Sequence, residues 1–224
     1  MNDKIYIARA GDIQTPACRI FGAGELSPSD ALTNKRDLII AADGGLLHLQ
    51  RLGIAPRIII GDFDSLDGVP EPSPGVEIIR RPVEKDLTDM SLAADEGFER
   101  GFDMFVLYGG TGGARLSHTL ANISLLARLC ERGAQGFLVG AGAELTVIKN
   151  GKISYGAHTR GSVSVFAIGG LSRGVSITGL KYEARDIALT ESFPLGVSNS
   201  FIGTPASIEV TDGCCLIVRE EVAE

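Results

Sequence analysis

The chain has 224 residues, of which 44% are hydrophobic, and a formal net charge of -7 at pH 7. This length allows one large domain or two small ones, each with a real hydrophobic core. The negative charge argues against a nucleic-acid-binding protein, which would present a basic patch. It suits a site that binds a cation or a cationic ligand.

The cysteines and the N-terminal sequence predict a cytoplasmic protein without a membrane anchor. No apolar stretch approaches the ~18 residues of a transmembrane helix, and the N-terminus lacks the apolar segment of a secretory signal. The cysteines have neither the CxxC spacing of a zinc site nor the pattern of a disulfide framework. We therefore expect reduced thiols at Cys18, Cys130, Cys214 and Cys215.

Strand-like and helix-like segments alternate through residues 1–140. Helices are predicted to start near Leu46, Met90 and Leu116, the second capped by Thr88, and Ser27-Pro28 predicts a further helix start. This succession predicts an α/β domain with a mainly parallel, Rossmann-like sheet, whose ligands bind at the carboxyl ends of the strands. The predicted strands are 4–8, 18–21, 38–42, 57–60, 76–79 and 104–108.

Two carboxylates, Asp62 and Asp64, follow directly on the buried strand that ends at Ile60. In an extended segment, residues two apart point to the same side, so both acids would face one place. Two bare charges roughly 4 Å apart repel by about 4 kcal/mol at an effective dielectric near 20, which favours a bound cation. The alternative is that Asp64 and Ser65 only cap a turn.

A glycine-rich loop, Gly109-Gly110-Thr111-Gly112-Gly113, lies between the strand 104–108 and the helix that starts near Leu116. Bare backbone N–H groups at a helix N-terminus are suited to binding phosphate. The loop is not a Walker A motif, because no Lys-Ser/Thr pair follows its last glycine. Arg115 is the positive residue nearby that can bind a phosphate through two N–H groups.

Short strands separated by glycine-rich turns follow residue 138, with Gly140-Ala141-Gly142 as the boundary. This pattern predicts an all-β sandwich or jelly-roll domain over residues 141–224. The polar segment Gly196–Phe201 is interpreted as a loop, since Ser and Asn are common turn residues. The predicted strands are 145–148, 162–168, 175–177, 187–189, 207–210 and 216–218.

Five motifs occur in an order that resembles the thiamine pyrophosphokinases, and the resemblance covers nearly the whole chain. The motifs are Ala42-Asp43-Gly44-Gly45, Gly61-Asp62-Phe63-Asp64-Ser65, Lys85-Asp86-Leu87-Thr88-Asp89, the glycine-rich loop continuing into Arg115-Leu116-Ser117-His118 and Asn122, and Ser198-Asn199.

The resemblance implies an N-terminal α/β domain that binds ATP and Mg²⁺, and a C-terminal β-sandwich that binds thiamine. It implies a homodimer whose active sites lie between the two subunits. The reaction it implies transfers a pyrophosphoryl group from ATP to the hydroxyethyl oxygen of thiamine and releases AMP.

The resemblance also assigns expected roles to individual residues. The acids around magnesium and the phosphates are Asp43, Asp62, Asp64, Asp86 and Asp89, with the first four as metal ligands and the last four as catalytic residues. The nucleotide-binding residues are Asp43, Gly44, Gly109, Gly110, Thr111, Gly112, Gly113, Arg115, His118 and Asn122. Ser198 and Asn199 match the loop that holds the pyrimidine of thiamine.

Two features leave alternatives open. Asp89 would lie in the first turn of a helix, where the helix dipole by itself favours an acid. The loop also departs from the family pattern, because Ala114 is inserted before Arg115 and Ser117 stands where the family has an acid. Two alternative functions remain. One is a pyrophosphokinase of the same fold acting on another hydroxyalkyl heterocycle, such as a pterin, which would differ in the β-domain loop and its partner surface. The other is a non-catalytic nucleotide or thiamine sensor, for which the altered loop is the sequence hint.

Overall fold

The computed structural model describes residues 4–63, 74–81, 86–112, 115–140 and 142–221. Within these residues the fold is dominated by strands, with thirteen strands and three α-helices. None of the helices in these ranges is long and apolar enough to cross a membrane.

The helices are α1 (Gly45–Leu52), α2 (Asp89–Glu99) and α3 (Leu116–Glu131), with short 3-10 helices at Ala10–Asp12 and Pro28–Asp30. The strands of the first part are β1 (Lys4–Tyr6), β2 (Cys18–Phe21), β3 (Leu38–Ala42), β4 (Ile58–Gly61), β5 (Glu77–Arg80), β6 (Met104–Tyr108) and β7 (Gln135–Gly140). The later strands are β8 (Ala143–Tyr155), β9 (Ser162–Ala167), β10 (Ser172–Thr178), β11 (Ala184–Leu189), β12 (Gly196–Ser200) and β13 (Ala206–Glu220).

The chain forms two compact units that are not contiguous in sequence. The parallel unit contains residues 13–125 and 138–141. The antiparallel unit contains residues 1–12, 126–137 and 142–224, so the first strand of the chain belongs with the C-terminal strands.

The parallel unit contains five parallel strands in the order β6-β2-β3-β4-β5. Strands β2 and β3 are buried along their whole length, as expected for a parallel sheet covered on both faces. Helix α2 runs antiparallel to β2: its Met90 end lies at Gly22, and its Gly97 end lies against Cys18. The N-terminus of α2 therefore lies at the carboxyl edge of the sheet.

The antiparallel unit is organised around the long pair formed by β8 and β13. The first half of β13 also pairs with β10 and the second half with β9. The change of partner occurs at an irregularity in the β8–β13 register, where Gly213 has φ 115° and its N–H donates to Asn150 Oδ1 at 2.9 Å. Strand β1 pairs in parallel with β8, and β12 pairs antiparallel with β9.

Most element predictions are confirmed, and two are wrong. The predicted strands 18–21, 38–42 and 104–108 are observed with those bounds, and the hydroxyl of Thr88 caps α2 by accepting from Ser91 N at 3.2 Å. Gly196–Phe201 is not a loop, because residues Gly196–Ser200 form β12. The predicted strands 207–210 and 216–218 are parts of the single strand β13, since the partner β8 continues past the bulge between them.

A buried ion pair joins β2 to the segment that precedes β3. Arg19 Nε donates to Asp37 Oδ2, and both side chains are almost completely buried. The second carboxylate oxygen of Asp37 accepts the backbone N–H of Ala17 at 3.0 Å. Arg19 Nη1 donates to Tyr108 Oη at 2.9 Å, and that hydroxyl donates to the Leu32 carbonyl at 2.9 Å. Burial raises the pKa of Tyr108, so the phenol remains protonated and available as a donor.

We predict that Asp37→Ala lowers the free energy of unfolding by about 3–5 kcal/mol, because it leaves the Arg19 charge buried without its partner. Urea denaturation measures the loss. The control is Asp212→Ala, which breaks the solvent-exposed pair with Arg173 and should cost less than about 1 kcal/mol. Equal losses in the two variants would contradict a special role for the buried pair.

Candidate active site

The carboxyl ends of four parallel strands meet at one edge of the parallel unit. Ala42 of β3 pairs with Ile60 of β4, and Phe21 of β2 pairs with Tyr108 of β6. The residues that follow these pairs, including Asp43, are therefore neighbours. This edge is where ligands bind in open parallel sheets.

Asp43 occupies a special backbone position at this edge. Its φ is 47°, in the left-handed region that Asp tolerates better than most residues. Its N–H donates to the Ile60 carbonyl at 2.8 Å, which fixes the residue against β4. Its Oδ1 is buried and has no hydrogen-bond partner among the described residues. A buried carboxylate oxygen without a donor is costly, so this atom fits a bound cation.

The Asp62-Phe63-Asp64 segment does not have the extended geometry expected from its sequence. Phe63 is buried and has φ 66°, an outlier for an aromatic residue, so the chain turns around this anchored ring. The expectation that both acids point to one side because the segment is extended is therefore wrong at Phe63. Asp62 is half-buried next to β4, and Asp64 lies outside the described residues.

Asp89 lies in the first turn of α2, at the carboxyl edge of the sheet. The contact between its neighbour Met90 and Gly22, at the end of β2, fixes this position. Asp86 is exposed and precedes the capping residue Thr88. Among the described residues, no three acidic, histidine or cysteine side chains are close enough to hold a metal ion. The described residues alone therefore do not make up a complete set of metal ligands.

The glycine-rich loop follows β6 at the same edge. Gly109 and Gly112 have φ values of 60° and 70°, which glycine adopts without strain. The side-chain nitrogen of Asn122 in α3 donates to the Gly110 carbonyl at 2.8 Å, which ties the loop to the helix. Thr111 is buried, and its hydroxyl has no partner among the described residues. The loop thus contributes bare backbone and one unpaired hydroxyl.

Arg115 and His118 are exposed at the start of α3, and Arg115 Nη1 lies 3.5 Å from His118 Nε2. Both are accessible to a charged ligand. Asn122 is buried and holds the loop instead of facing solvent. Gly113 and the inserted Ala114 lie outside the described residues. Gly44 is buried immediately before α1.

Ser198 and Asn199 lie on β12 in the antiparallel unit. Ser198 is exposed and has φ 58°. The Asn199 side chain is buried and fully used by backbone groups: it accepts from Tyr182 N at 3.0 Å and Ser200 N at 2.9 Å, and it donates to the Tyr182 carbonyl at 2.6 Å. Asn199 therefore fixes the loop around Tyr182, while Ser198 is the accessible residue of the pair.

Sequence reasoning missed the residues that hold the strand ends together. A Cβ atom at Gly45 would lie 1.8 Å from the Phe21 carbonyl oxygen, so α1 can begin there only with glycine. Gly24 N donates to the Gly109 carbonyl at 2.8 Å, and His48 Nε2 lies 2.8 Å from the Gly24 carbonyl. The sequence does contain a sign of these contacts, because glycines follow the predicted strands 18–21, 38–42, 57–60 and 104–108 within two residues.

Two family models match this chain in sequence order. Residues 29–138 match the thiamin pyrophosphokinase catalytic domain, and residues 152–215 match the thiamin pyrophosphokinase vitamin B1 binding domain. The chain belongs to the thiamine pyrophosphokinase family. A curated thiamine pyrophosphokinase from Bacillus subtilis is 26% identical over 193 residues, which cover 84% of this chain and 89% of the relative.

Solved structures of this family have the same fold. A thiamine pyrophosphokinase structure from Bacillus subtilis has a TM-score of 0.80 at 24% identity and covers 92% of this chain and 100% of its own. One from Geobacillus thermodenitrificans has a TM-score of 0.77 at 25% identity, with 93% and 99% covered. The yeast thiamin pyrophosphokinase has a TM-score of 0.71 at 16% identity, with 94% and 88% covered.

We predict that Asp62→Asn lowers thiamine pyrophosphate formation by about a hundredfold or more if the acids at the strand ends bind Mg²⁺, because the amide lacks the negative charge that would balance the ion. The melting temperature should stay close to the wild-type value, because the amide has the same shape as the carboxylate and the residue follows a strand. A Mg²⁺ titration of turnover is the measurement. Asp103→Asn, an exposed acid before β6, is the control. Wild-type rates in Asp62→Asn at all Mg²⁺ concentrations would exclude the metal role.

Proposed function

We propose that this protein transfers a pyrophosphoryl group from ATP to thiamine, giving thiamine pyrophosphate and AMP. The observation that carries the proposal is the ordered match to a catalytic and a vitamin B1 binding domain. The unpaired Asp43 oxygen, which lies at the same sheet edge as the glycine-rich loop, supports it.

Mg²⁺ fits the chemistry of the acidic strand ends, because it prefers oxygen ligands and a buried carboxylate oxygen of Asp43 lacks a donor. We propose Asp43, Asp62, Asp64 and Asp86 as the residues that hold it. When bound, the ion neutralises charge on the phosphates of ATP.

The glycine-rich loop is proposed to hold the phosphates. The loop lies directly between β6 and α3, and its Gly112 is exposed. This position suits the binding of phosphate oxygens by N–H groups near a helix N-terminus. The Thr111 hydroxyl is one more donor without a partner among the described residues. Arg115 is exposed at the start of α3 and can bind a phosphate through two N–H groups.

Thiamine is proposed to contact Ser198, with Asn199 holding the strand and the Tyr182 loop in place. The thiazolium ring of thiamine carries a fixed positive charge, which the acidic strand ends favour.

In the transfer, the hydroxyethyl oxygen forms a bond to the β-phosphorus, and the bond from that phosphorus to the α,β-bridging oxygen breaks, so AMP leaves with that oxygen. One of the acids Asp62, Asp64, Asp86 and Asp89 takes the hydroxyl proton.

We further propose that two copies form a homodimer with shared active sites. The support is an exposed apolar region around β12, a strand that pairs only with β9 among the described strands. Large exposed apolar regions on soluble proteins usually mark interfaces. The exposed residues are Tyr182, Phe193, Leu195, Val197 and Ile202.

We also propose a fold class for each of the two domains and a cytoplasmic location for the protein. The parallel pairing of β2 to β6 favours a Rossmann-like ATP domain within residues 1–140. The antiparallel pairing of β8 to β13 favours a sandwich or jelly-roll thiamine domain within residues 141–224. The free cysteines, which form no disulfide, support a cytoplasmic enzyme.

We predict AMP and thiamine pyrophosphate in equal amounts when the protein is incubated with ATP, Mg²⁺ and thiamine. Chromatography of nucleotides and thiamine esters measures both products. Release of ADP would mean ordinary phosphoryl transfer, and turnover of a hydroxymethyl pterin in place of thiamine would favour the alternative substrate. Tight binding of ATP and thiamine without turnover would favour a sensor.

Mixing two inactive variants tests the shared site. Asp62→Asn damages the acidic edge, and Ser198→Arg places a positive charge where cationic thiamine is proposed to bind, without disturbing the bonds of Asn199. Random one-to-one exchange of subunits should restore about a quarter of wild-type activity, because about half of the dimers are mixed and each has one intact site.

The mixing experiment needs evidence that subunits have exchanged, which mass spectrometry of differently tagged variants supplies. Exchange without recovered activity would place both residues in the site of a single subunit. A monomer in sedimentation velocity would refute the dimer itself, with the transfer activity still measurable separately.

A further inference from the structure

The segment Gly22–Gly24, which follows β2, lies directly against the glycine-rich loop. Gly22 N donates to the Tyr108 carbonyl at 2.8 Å, and Gly24 N donates to the Gly109 carbonyl at 2.8 Å. A Cβ atom at Gly24 would lie 2.6 Å from the Gly109 oxygen, and one at Gly109 would lie 2.4 Å from the Gly22 oxygen. The two backbones are thus in contact, and the position of one sets the position of the other.

His48 in α1 holds this segment from the other side. Its Nε2 lies 2.8 Å from the Gly24 carbonyl oxygen, and the side chain is half-buried. A carbonyl oxygen can only accept, so Nε2 carries a proton and donates. The hydrogen bonds therefore run from His48 to Gly24 and from Gly24 to Gly109.

Helix α1, which carries His48, is fixed in position at its start and along its buried face. Helix α1 begins at Gly45, whose backbone is pressed against the Phe21 carbonyl, and it ends at Gly53 with φ 66°. Leu46 and Leu49, on either side of His48, are buried in the parallel unit. The imidazole thus projects from a fixed helix to the segment Gly22–Gly24, whose largest side chain is the methyl group of Ala23.

We propose that His48 is a positioning residue for the transfer reaction: through Gly24 it sets the place of Gly109 and of the loop that receives the phosphates of ATP. This inference rests on the proposed role of the glycine-rich loop. It goes further by assigning a function to a residue that belongs to none of the five sequence motifs.

The experiment compares three variants of the full chain. His48→Leu keeps an apolar side chain of similar size but removes the donor, and His48→Gln restores an N–H at a similar reach. The matched control is His158→Leu, an exposed histidine in the antiparallel unit. Initial rates at varied MgATP and varied thiamine are measured with melting temperatures.

We expect His48→Leu to raise KM for MgATP about fivefold, the effect of losing one hydrogen bond, while KM for thiamine stays within about twofold. His48→Gln should return KM for MgATP to within about twofold of wild type, and His158→Leu should not change it. If His48 only stabilised the fold, its replacement would lower the fraction of active enzyme, and therefore kcat, and both KM values would stay unchanged. That result, or failure of His48→Gln to rescue, would overturn the proposal.

A further variant, Arg115→Ala, tests the proposed role of the glycine-rich loop separately from the positioning role of His48. Arg115→Ala should also raise KM for MgATP if the loop binds phosphate. An effect of Arg115→Ala without one of His48→Leu would refute only the positioning role. If neither variant affects KM for MgATP, both proposals fail.

Nitrogen-15 NMR gives a readout that does not depend on activity. The structure requires a protonated His48 Nε2, and its signal should differ from those of His118 and His158, the other two histidines of the chain. A neutral His48 protonated only at Nδ1 would exclude the hydrogen bond to Gly24.

Discussion

The strand ends of the parallel unit approach one another backbone to backbone, and the candidate site depends on this close contact. Side chains are excluded at Gly22, Gly24, Gly45 and Gly109, where a Cβ atom would come within 1.8–2.9 Å of a neighbouring carbonyl oxygen. The glycines bring two loops and a helix start into one small region. The described part of the candidate site is therefore built largely from the backbone groups of these segments.

Two of the five described non-glycine residues with positive φ lie at the same edge, and the other three lie in the antiparallel unit. Asp43 and Phe63 both have positive φ values, and the Asp43 carboxylate has a buried oxygen without a partner among the described residues. Such features cost stability and persist only where the surrounding structure holds them. Here the support comes from the buried strands β3 and β4, and the Asp43 N–H donates to the Ile60 carbonyl of β4. Charge neutralisation by a bound ligand would relieve part of the cost.

Local patterns in the sequence were enough to predict most of the parallel unit. Its strands are short buried runs, and its helices have clear starts and stops, such as Thr88 before α2 and Gly53 after α1. The errors arose where distant residues decide the structure. Gly196–Ser200 has the composition of a turn, but it is a strand because β9 pairs with it. The φ of Phe63 and the bond from His48 to Gly24 depend likewise on burial and contacts that spacing does not encode.

Strand β1 is synthesised early, but its pairing partner in the antiparallel unit is synthesised much later. Lys4–Tyr6 pairs with Gly151–Ile153 of β8, so the first strand emerges from the ribosome long before its partner exists. At about 5–20 residues per second, this delay is of order ten seconds. During that time the parallel strands β2 to β6 can already pair with one another, because all of them precede residue 110. Strand β1 cannot form its native pairing until β8 is made, so it is among the last strands to pair.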